Sequence, residues 1–220
     1  SLFVAFQVRL GLSVYNEVST FLNLPEEAEW ARREREKLDN HIQAVAWDGE
    51  WFIRAIGEKG EVYGSKSQSE GQVFLNPQVW SVISGFATPE QARRCLQTVY
   101  DRLRTPYGLM LNAPPFEHTP VDVMRAVVYN PGIKENAGIF NHTQSWGVMA
   151  ECLLGNGDRA YEYFTETMPA AYNDRADLRQ CEPYVHAQTT YSIFSPRAGN
   201  TRTSWLTGAA AWSYQAATQW

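Results

Sequence analysis

The sequence is short of several things, and each shortage excludes a class of protein. It has only three cysteines, Cys95, Cys152 and Cys181. Their odd number and wide spacing give neither a disulfide framework nor a C-x-x-C metal clip, so a reducing compartment and buried free thiols are expected. No apolar run approaches the roughly 20 residues that span a bilayer, and Ser1-Leu2-Phe3 lacks the charged start of a signal peptide. A soluble, cytoplasmic protein with no membrane partner is the expectation. There is no basic block: net charge is -5, and Arg32, Arg33 and Arg35 alternate with Glu34 and Glu36 as on a solvated helix face. That argues against nucleic acid as a partner. The four histidines, His41, His118, His142 and His186, are scattered, so no zinc spacing exists. A G-x-S-x-G elbow, a Walker loop, H-E-x-x-H and a dinucleotide fingerprint are all missing. No short internal repeat stands out.

Aromatic residues, by contrast, make up 13% of the chain, with eight Trp and eleven Tyr. Several sit beside polar residues, as at Trp47-Asp48. Such mixed surfaces suit sugars, whose C–H faces stack on rings while carboxylates and amides bind their hydroxyls. Rings that merely fill helix interfaces are the plainer reading. Residues 129 to 144, from Tyr129-Asn130-Pro131-Gly132 to His142-Thr143-Gln144, hold polar, titratable and turn-forming residues where a core would be apolar. Pro131-Gly132 and Gly138 predict tight bends that present Lys134, Glu135, Asn136 and His142 from a loop, either to a ligand or to their own backbone.

Helical spacing predicts helices over residues 2–24 and from Pro25 through Val45, a hairpin broken at Asp48-Gly49-Glu50. Residues 51–55 and 61–63 read as a short strand pair. A helix from Asn76-Pro77 and another behind the capping-box pattern Thr88-Pro89-Glu90-Gln91 form a second hairpin. Residues 105–141 are too long for an ordinary connection and read as a functional loop. Helicity returns at Thr143, Asp158 caps a short helix, and a last helix runs from Thr207 to Trp220. Paired helices with long polar loops gathered at one end predict a helical toroid. At the start of the last helix, Thr207 and Gly208 offer a hydroxyl, unpaired N–H groups and a positive dipole end to an oxyanion. Thr207 as a plain N-cap is the alternative. His142, just before a helix, adds a donor. Asn141-His142-Thr143 also matches an N-glycosylation acceptor, against which the cysteines argue.

The run Pro131-Gly132-Ile133-Lys134-Glu135-Asn136-Ala137-Gly138-Ile139-Phe140 through His142, then Gly155-Asn156-Gly157-Asp158-Arg159-Ala160, Glu182-Pro183-Tyr184-Val185, Gln188 and Ser204-Trp205-Leu206-Thr207-Gly208, resembles the inverting disaccharide phosphorylases acting on cellobiose and N,N'-diacetylchitobiose (glycoside hydrolase family 94 type). Order and spacing agree over most of residues 47–220. The resemblance implies an all-α fold, with residues 1–220 forming part of an (α/α)6 barrel that carries long loops and short strand insertions at one end. It implies no metal and no organic cofactor; inorganic phosphate is a substrate, and the disaccharide and phosphate are the partners, with a homodimer for the full-length enzyme. Phosphate binding falls on His142, Thr207 and Gly208. Sugar contacts fall on Lys134 and Gln188 for the transferred unit and on Tyr129 near the leaving sugar, with Glu135 beside them.

In that family the general acid is an aspartate in a W-N-D segment preceding the helix matched by residues 2–24, so the resemblance puts it upstream of Ser1, together with a β-sandwich, and puts a cap beyond Trp220. No catalytic residue is therefore assigned within the chain. One position departs from the cellobiose-specific pattern: Arg125 stands where a glutamate would lie four residues before Tyr129. Tyr129 favours an unsubstituted sugar nearby, whereas Arg125 suits an N-acetylated sugar or an aldonic acid, so the acceptor stays open. Two other classes remain open, a non-catalytic carbohydrate-binding module and an inverting hydrolase, which would need two opposed carboxylates.

Overall fold

A computed structural model describes residues 1–220. The chain opens with helix α1 (Leu2–Phe21), and Pro25, with its ring pre-set for a first helical turn and Glu26 and Glu27 facing the dipole, starts α2 (Pro25–Val45). The two pack as the expected hairpin. Strands β1 (Ala55–Ile56) and β2 (Val62–Tyr63) pair antiparallel, followed by β3 (Val73–Phe74) leading directly into α3 (Leu75–Ile83). Helix α4 (Pro89–Arg102) starts where the motif predicts. Thr88 Oγ1 accepts from Gln91 N at 3.2 Å and Gln91 Oε1 accepts from Thr88 N at 3.1 Å, a complete capping box.

Residues 104–140 hold β4 (Arg104–Thr105), β5 (Gly108–Leu109), β6 (Asn112–Ala113), a 3-10 turn at Arg125–Val128 and β7 (Ile139–Phe140). Then come α5 (Asn141–Leu153), α6 (Gly157–Thr167), α7 (Ala176–Arg179), β8 (Thr189–Thr190), β9 (Thr201–Arg202) and α8 (Thr207–Gln219). Strands β7, β8 and β9 form a three-stranded antiparallel sheet in that order. The molecule is helix-rich with few, short strands, as the all-α expectation requires.

The packing follows one rule. Helices α1, α3, α5 and α8 lie in a row, each against the next, while α2, α4 and α6 back α1, α3 and α5 respectively. The chain thus builds an inner row of helices, each of the first three with an outer partner. Three inner helices also repeat one another. Trp80, Trp146 and Trp212 each occupy the sixth position of their helix and recur 66 residues apart. They form a ladder with Phe3, with ring centroids 5.7 Å (Phe3 to Trp80), 5.4 Å (Trp80 to Trp146) and 5.8 Å (Trp146 to Trp212) apart, all close to edge-on. The fourth position of α3 and α5 is a buried glutamine. Gln78 grips the backbone of Phe52, accepting from its N–H at 3.0 Å and donating to its C=O at 2.8 Å. Gln144 does the same to Leu109, at 2.6 and 2.9 Å. Each side-chain amide satisfies a buried peptide that no strand partner reaches.

The structure corrects three local readings. Helix α5 starts at Asn141, not Thr143, so His142 lies inside its first turn. Asn156, not Asp158, stands at the cap position of α6, and its side-chain amide donates to Glu151 instead of capping. Of the three thiols only Cys95 is buried; Cys152 and Cys181 are half-buried.

Candidate active site

The inner helices present their N-terminal ends to one face. Their second positions are Asn76, His142 and Gly208, again 66 residues apart. Two of these ends are tied to a single segment: Asn141 N donates to Gln188 O at 2.9 Å, and Leu206 N donates to His186 O at 3.0 Å. The N-termini of α5 and α8, two helices that pack together, are thereby fixed side by side with their free N–H groups and dipole ends on the same side.

His142 is half-buried, its ring edge-on to Phe140 at 5.7 Å and to Trp146 at 5.3 Å. Burial holds its pKa below the ordinary imidazole value, so the ring is neutral at neutral pH and offers one N–H donor. Thr207 is the first helical residue and is exposed, and Leu206 occupies the cap position. Thr207 is therefore not the N-cap, and no side chain satisfies the first N–H groups of α8. A Cβ added at Gly208 would meet nothing within 4 Å. Packing therefore sets no demand for glycine there, and the approach to the helix end is open.

Beside His142 lies a cleft of about 630 Å³ whose lining includes Arg54, Asn76, Arg125, Glu135, His142 and Thr143. It brings together three of the residues singled out in the sequence, Arg125, Glu135 and His142. Tyr129, Lys134, Gln188, Thr207 and Gly208 are not among its walls. Lys134 stacks its ammonium over the Tyr129 ring at 5.3 Å. Gln188 contributes its backbone to the α5 anchor, and its own N–H donates to Thr203 O at 2.8 Å. No three His, Cys, Asp or Glu side chains converge as a metal site would require.

The loop holding Lys134 and Glu135 is over-determined. Asn136 is fully buried and spends its side chain inward, accepting from Phe116 N at 2.6 Å and donating to Phe116 O and Tyr129 O at 2.7 Å each. It braces the loop and does not face a ligand, the backbone-binding one of the two readings open from the sequence. Gly132 adopts φ +81°, and a Cβ there would lie 2.6 Å from Ser195 N. Only glycine lets these two loops touch. Lys134 (φ 49°), Ala137 (φ 58°), Tyr184 (φ 63°), Thr203 (φ 58°) and Trp205 (φ 64°) all take left-handed conformations. Each costs roughly 1–3 kcal/mol; this strain sits in the loops flanking the helix ends. The Asn141-His142-Thr143 acceptor pattern is closed off, because Asn141 is buried and donates to Ala187 O at 2.9 Å.

The sequence reading missed Arg54 and Asn76. Arg54 follows the apolar run Trp51-Phe52-Ile53, and a lone charge in such a run was the available signal.

Compared with known proteins, the whole chain, residues 1–220, matches the family model described as the glycosyl hydrolase 94 superfamily, catalytic domain. It is 34% identical to a solabiose phosphorylase from Paenibacillus borealis, over 96% of this chain and 29% of that protein. It is 36% identical to an N,N'-diacetylchitobiose phosphorylase from Vibrio furnissii, over 84% of this chain and 23% of that protein. Against a cellobionic acid phosphorylase from Neurospora crassa the identity is 33%, over 86% and 25% respectively. The chain thus spans less than a third of the length of these relatives.

Proposed function

Because the chain belongs to the glycosyl hydrolase 94 catalytic-domain family, we propose that the protein containing it cleaves a β-linked disaccharide with inorganic phosphate. The products are an α-sugar 1-phosphate and a free sugar. The observation that carries this reading is the pair of helix ends fixed side by side on residues 186–188, with neutral His142 in one and exposed Thr207 and Gly208 in the other.

A carboxylic acid protonates the glycosidic oxygen while the nucleophile enters from the opposite face of the ring. Phosphate is already anionic, so it needs no second carboxylate to activate it, only donors that hold it at attack distance. His142 Nδ1 or Nε2, the Thr207 hydroxyl and the unpaired amides at Gly208 supply such donors. Lys134 and Gln188 serve the transferred sugar and Tyr129 the leaving one, with Glu135 supporting from the cleft. The resemblance would give the proton donor's role to a W-N-D aspartate, a motif that residues 1–220 do not contain. No metal or organic cofactor enters the scheme, and the cytoplasm is its compartment.

Arg125, exposed on the cleft wall, favours an acceptor sugar with an N-acetyl or carboxylate substituent. A hydrolase would want two facing carboxylates, and this cleft offers Glu135 alone.

The test is to incubate the full-length protein with cellobiose, N,N'-diacetylchitobiose and cellobionic acid, with and without phosphate, and follow anomeric protons by NMR. The expected outcome is phosphate-dependent appearance of an α-sugar 1-phosphate from at least one of them. Release of both free sugars at the same rate without phosphate would replace phosphorolysis by hydrolysis.

A further inference from the structure

The 66-residue repeat gives His142 and Gly208 a third counterpart, Asn76, and the proposed reaction leaves it unused. Asn76 lines the same cleft as His142, and its Oδ1 is buried with no hydrogen-bond partner. A buried acceptor without a donor is costly and rare, which marks a place where something else supplies the hydrogen.

Arg54 lines the same cleft and is placed there by the same device that builds the neighbouring repeat. Gln78 clamps Phe52, and the residue two further on, Arg54, lines the cleft; Gln144 clamps Leu109, and the residue two further on, Leu111, lines it too. Where one repeat sends an apolar side chain, the other sends a guanidinium. Its backbone is pinned on both sides, Arg54 N donating to Tyr63 O at 2.7 Å and Arg54 O accepting from Leu2 N at 3.1 Å. The guanidinium lies 5.9 Å from the Phe3 ring centroid and 5.8 Å from that of Phe74. One of its five N–H groups is used, Nη1 donating to Ser1 Oγ at 2.9 Å. No acidic side chain pairs with it, and burial alone pulls its pKa down. The wider cleft carries two guanidinium groups, Arg54 and Arg125, against one carboxylate, Glu135.

A pre-positioned cation with free donors, in one cleft with an amide oxygen that lacks a donor, matches a ligand carrying an oxyanion and a hydroxyl together. We propose that Arg54 and Asn76 form a binding site for a sugar bearing an oxyanion, Arg54 taking the anionic oxygens and Asn76 Oδ1 a ring hydroxyl. The inference deepens the phosphorolysis reading and rests on it only for the identity of the ligand. Phosphate on a sugar and carboxylate on an acidic sugar share the required chemistry.

The experiment is calorimetric titration of the full-length protein with α-glucose 1-phosphate, inorganic phosphate, gluconate and, as the neutral control, glucose. It compares wild type with Arg54→Met, Arg54→Lys and Asn76→Asp. Arg54→Met is expected to weaken the oxyanion ligands by about 10- to 100-fold, the share of a charge-assisted hydrogen-bonded pair, and to leave glucose within about 3-fold. Arg54→Lys should recover part of the loss. Asn76→Asp adds a carboxylate to the cleft, so it should weaken the oxyanion ligands at least as much as Arg54→Met without lowering the unfolding temperature, which keeps the test open should Arg54→Met fail to fold.

A loss for glucose 1-phosphate and inorganic phosphate assigns the site to the phosphate; a loss for gluconate alone assigns it to an acceptor carboxylate. Equal losses for glucose and the oxyanions, no loss for any, or no oxyanion binding by the wild type would overturn the site. If the wild type makes no sugar 1-phosphate yet binds oxyanions through Arg54, phosphorolysis falls and the site stands.

Discussion

His142 and Glu151 show how burial sets the behaviour of single residues here. Both lie on α5, yet their pKa values move in opposite senses. Burial lowers that of His142 and raises that of Glu151, which is fully buried and accepts from Asn156 Nδ2 at 2.7 Å and Tyr163 Oη at 3.4 Å. For Glu151 the folded state binds its proton more tightly than the unfolded chain. Its stabilising contribution is therefore complete below the ordinary value of 4.5 and is lost as pH rises through the raised folded value. For His142 the folded state disfavours the proton, so its contribution is present above 6.5 and lost as pH falls through the depressed value. Glu151→Gln should accordingly gain stability relative to wild type as pH climbs from 4.5, read as unfolding temperature across a pH series. A wild-type-to-variant difference that stays constant over that range would contradict the assignment. Cys95, whose thiol burial pushes up to about 12, stays protonated and should resist alkylation in the folded protein.

Among the elements, the long stretch between α4 and α5 shows what local sequence can and cannot tell. The capping box of α4 was legible because its partners lie three residues apart, and the hairpins were legible because apolar spacing is a local signal. The starts of α5 and α8 were harder. His142 and Thr207 fall inside their helices because Phe140 and Leu206, neither of which can cap, precede the first turn. For Asn136 the choice between ligand and backbone stayed open, because a polar residue in a loop gives no sign that Phe116, twenty residues away, consumes its hydrogen bonds. The repeat was hidden because three helices share only a tryptophan at the sixth position, with the fourth-position glutamine in two of them. Glu70 supplies the same kind of distant tie. Its carboxylate accepts from the backbone N–H groups of Glu117, His118 and Thr119 at 3.0 to 3.1 Å and from Thr119 Oγ1 at 2.5 Å. Burial works to raise its pKa, and these four donors outweigh that and leave it lowered. This ties the chain leading to Arg125 onto the segment after β2. Glu70→Ala should cost about 1–3 kcal/mol and speed hydrogen exchange over residues 117–125 while α5 stays protected. Unchanged exchange in that loop would show that the tie is dispensable.

At the scale of the whole molecule, helices α1, α3, α5 and α8 form a row backed by α2, α4 and α6, a paired arrangement of the kind the expected toroid would use. No helix is long and apolar enough to cross a membrane. The resemblance assigns the proton donor to a W-N-D motif that residues 1–220 do not contain, so we propose that these residues alone release sugar 1-phosphate far more slowly than the full-length protein. A positioned acid contributes of order 100- to 10,000-fold. Robust turnover by the isolated chain would move the acid inside it. We propose that the paired N-terminal ends of α5 and α8 form the phosphate site. Its most direct test is steady-state kinetics of the full-length enzyme carrying His142→Ala or Thr207→Ala, with phosphate and disaccharide varied independently. Each variant removes a donor to the dianion worth roughly 1.5 to 3 kcal/mol. The phosphate KM should therefore rise about one to two orders of magnitude while the disaccharide KM stays near that of wild type. Equal rises for both substrates, or no rise for either, would contradict it.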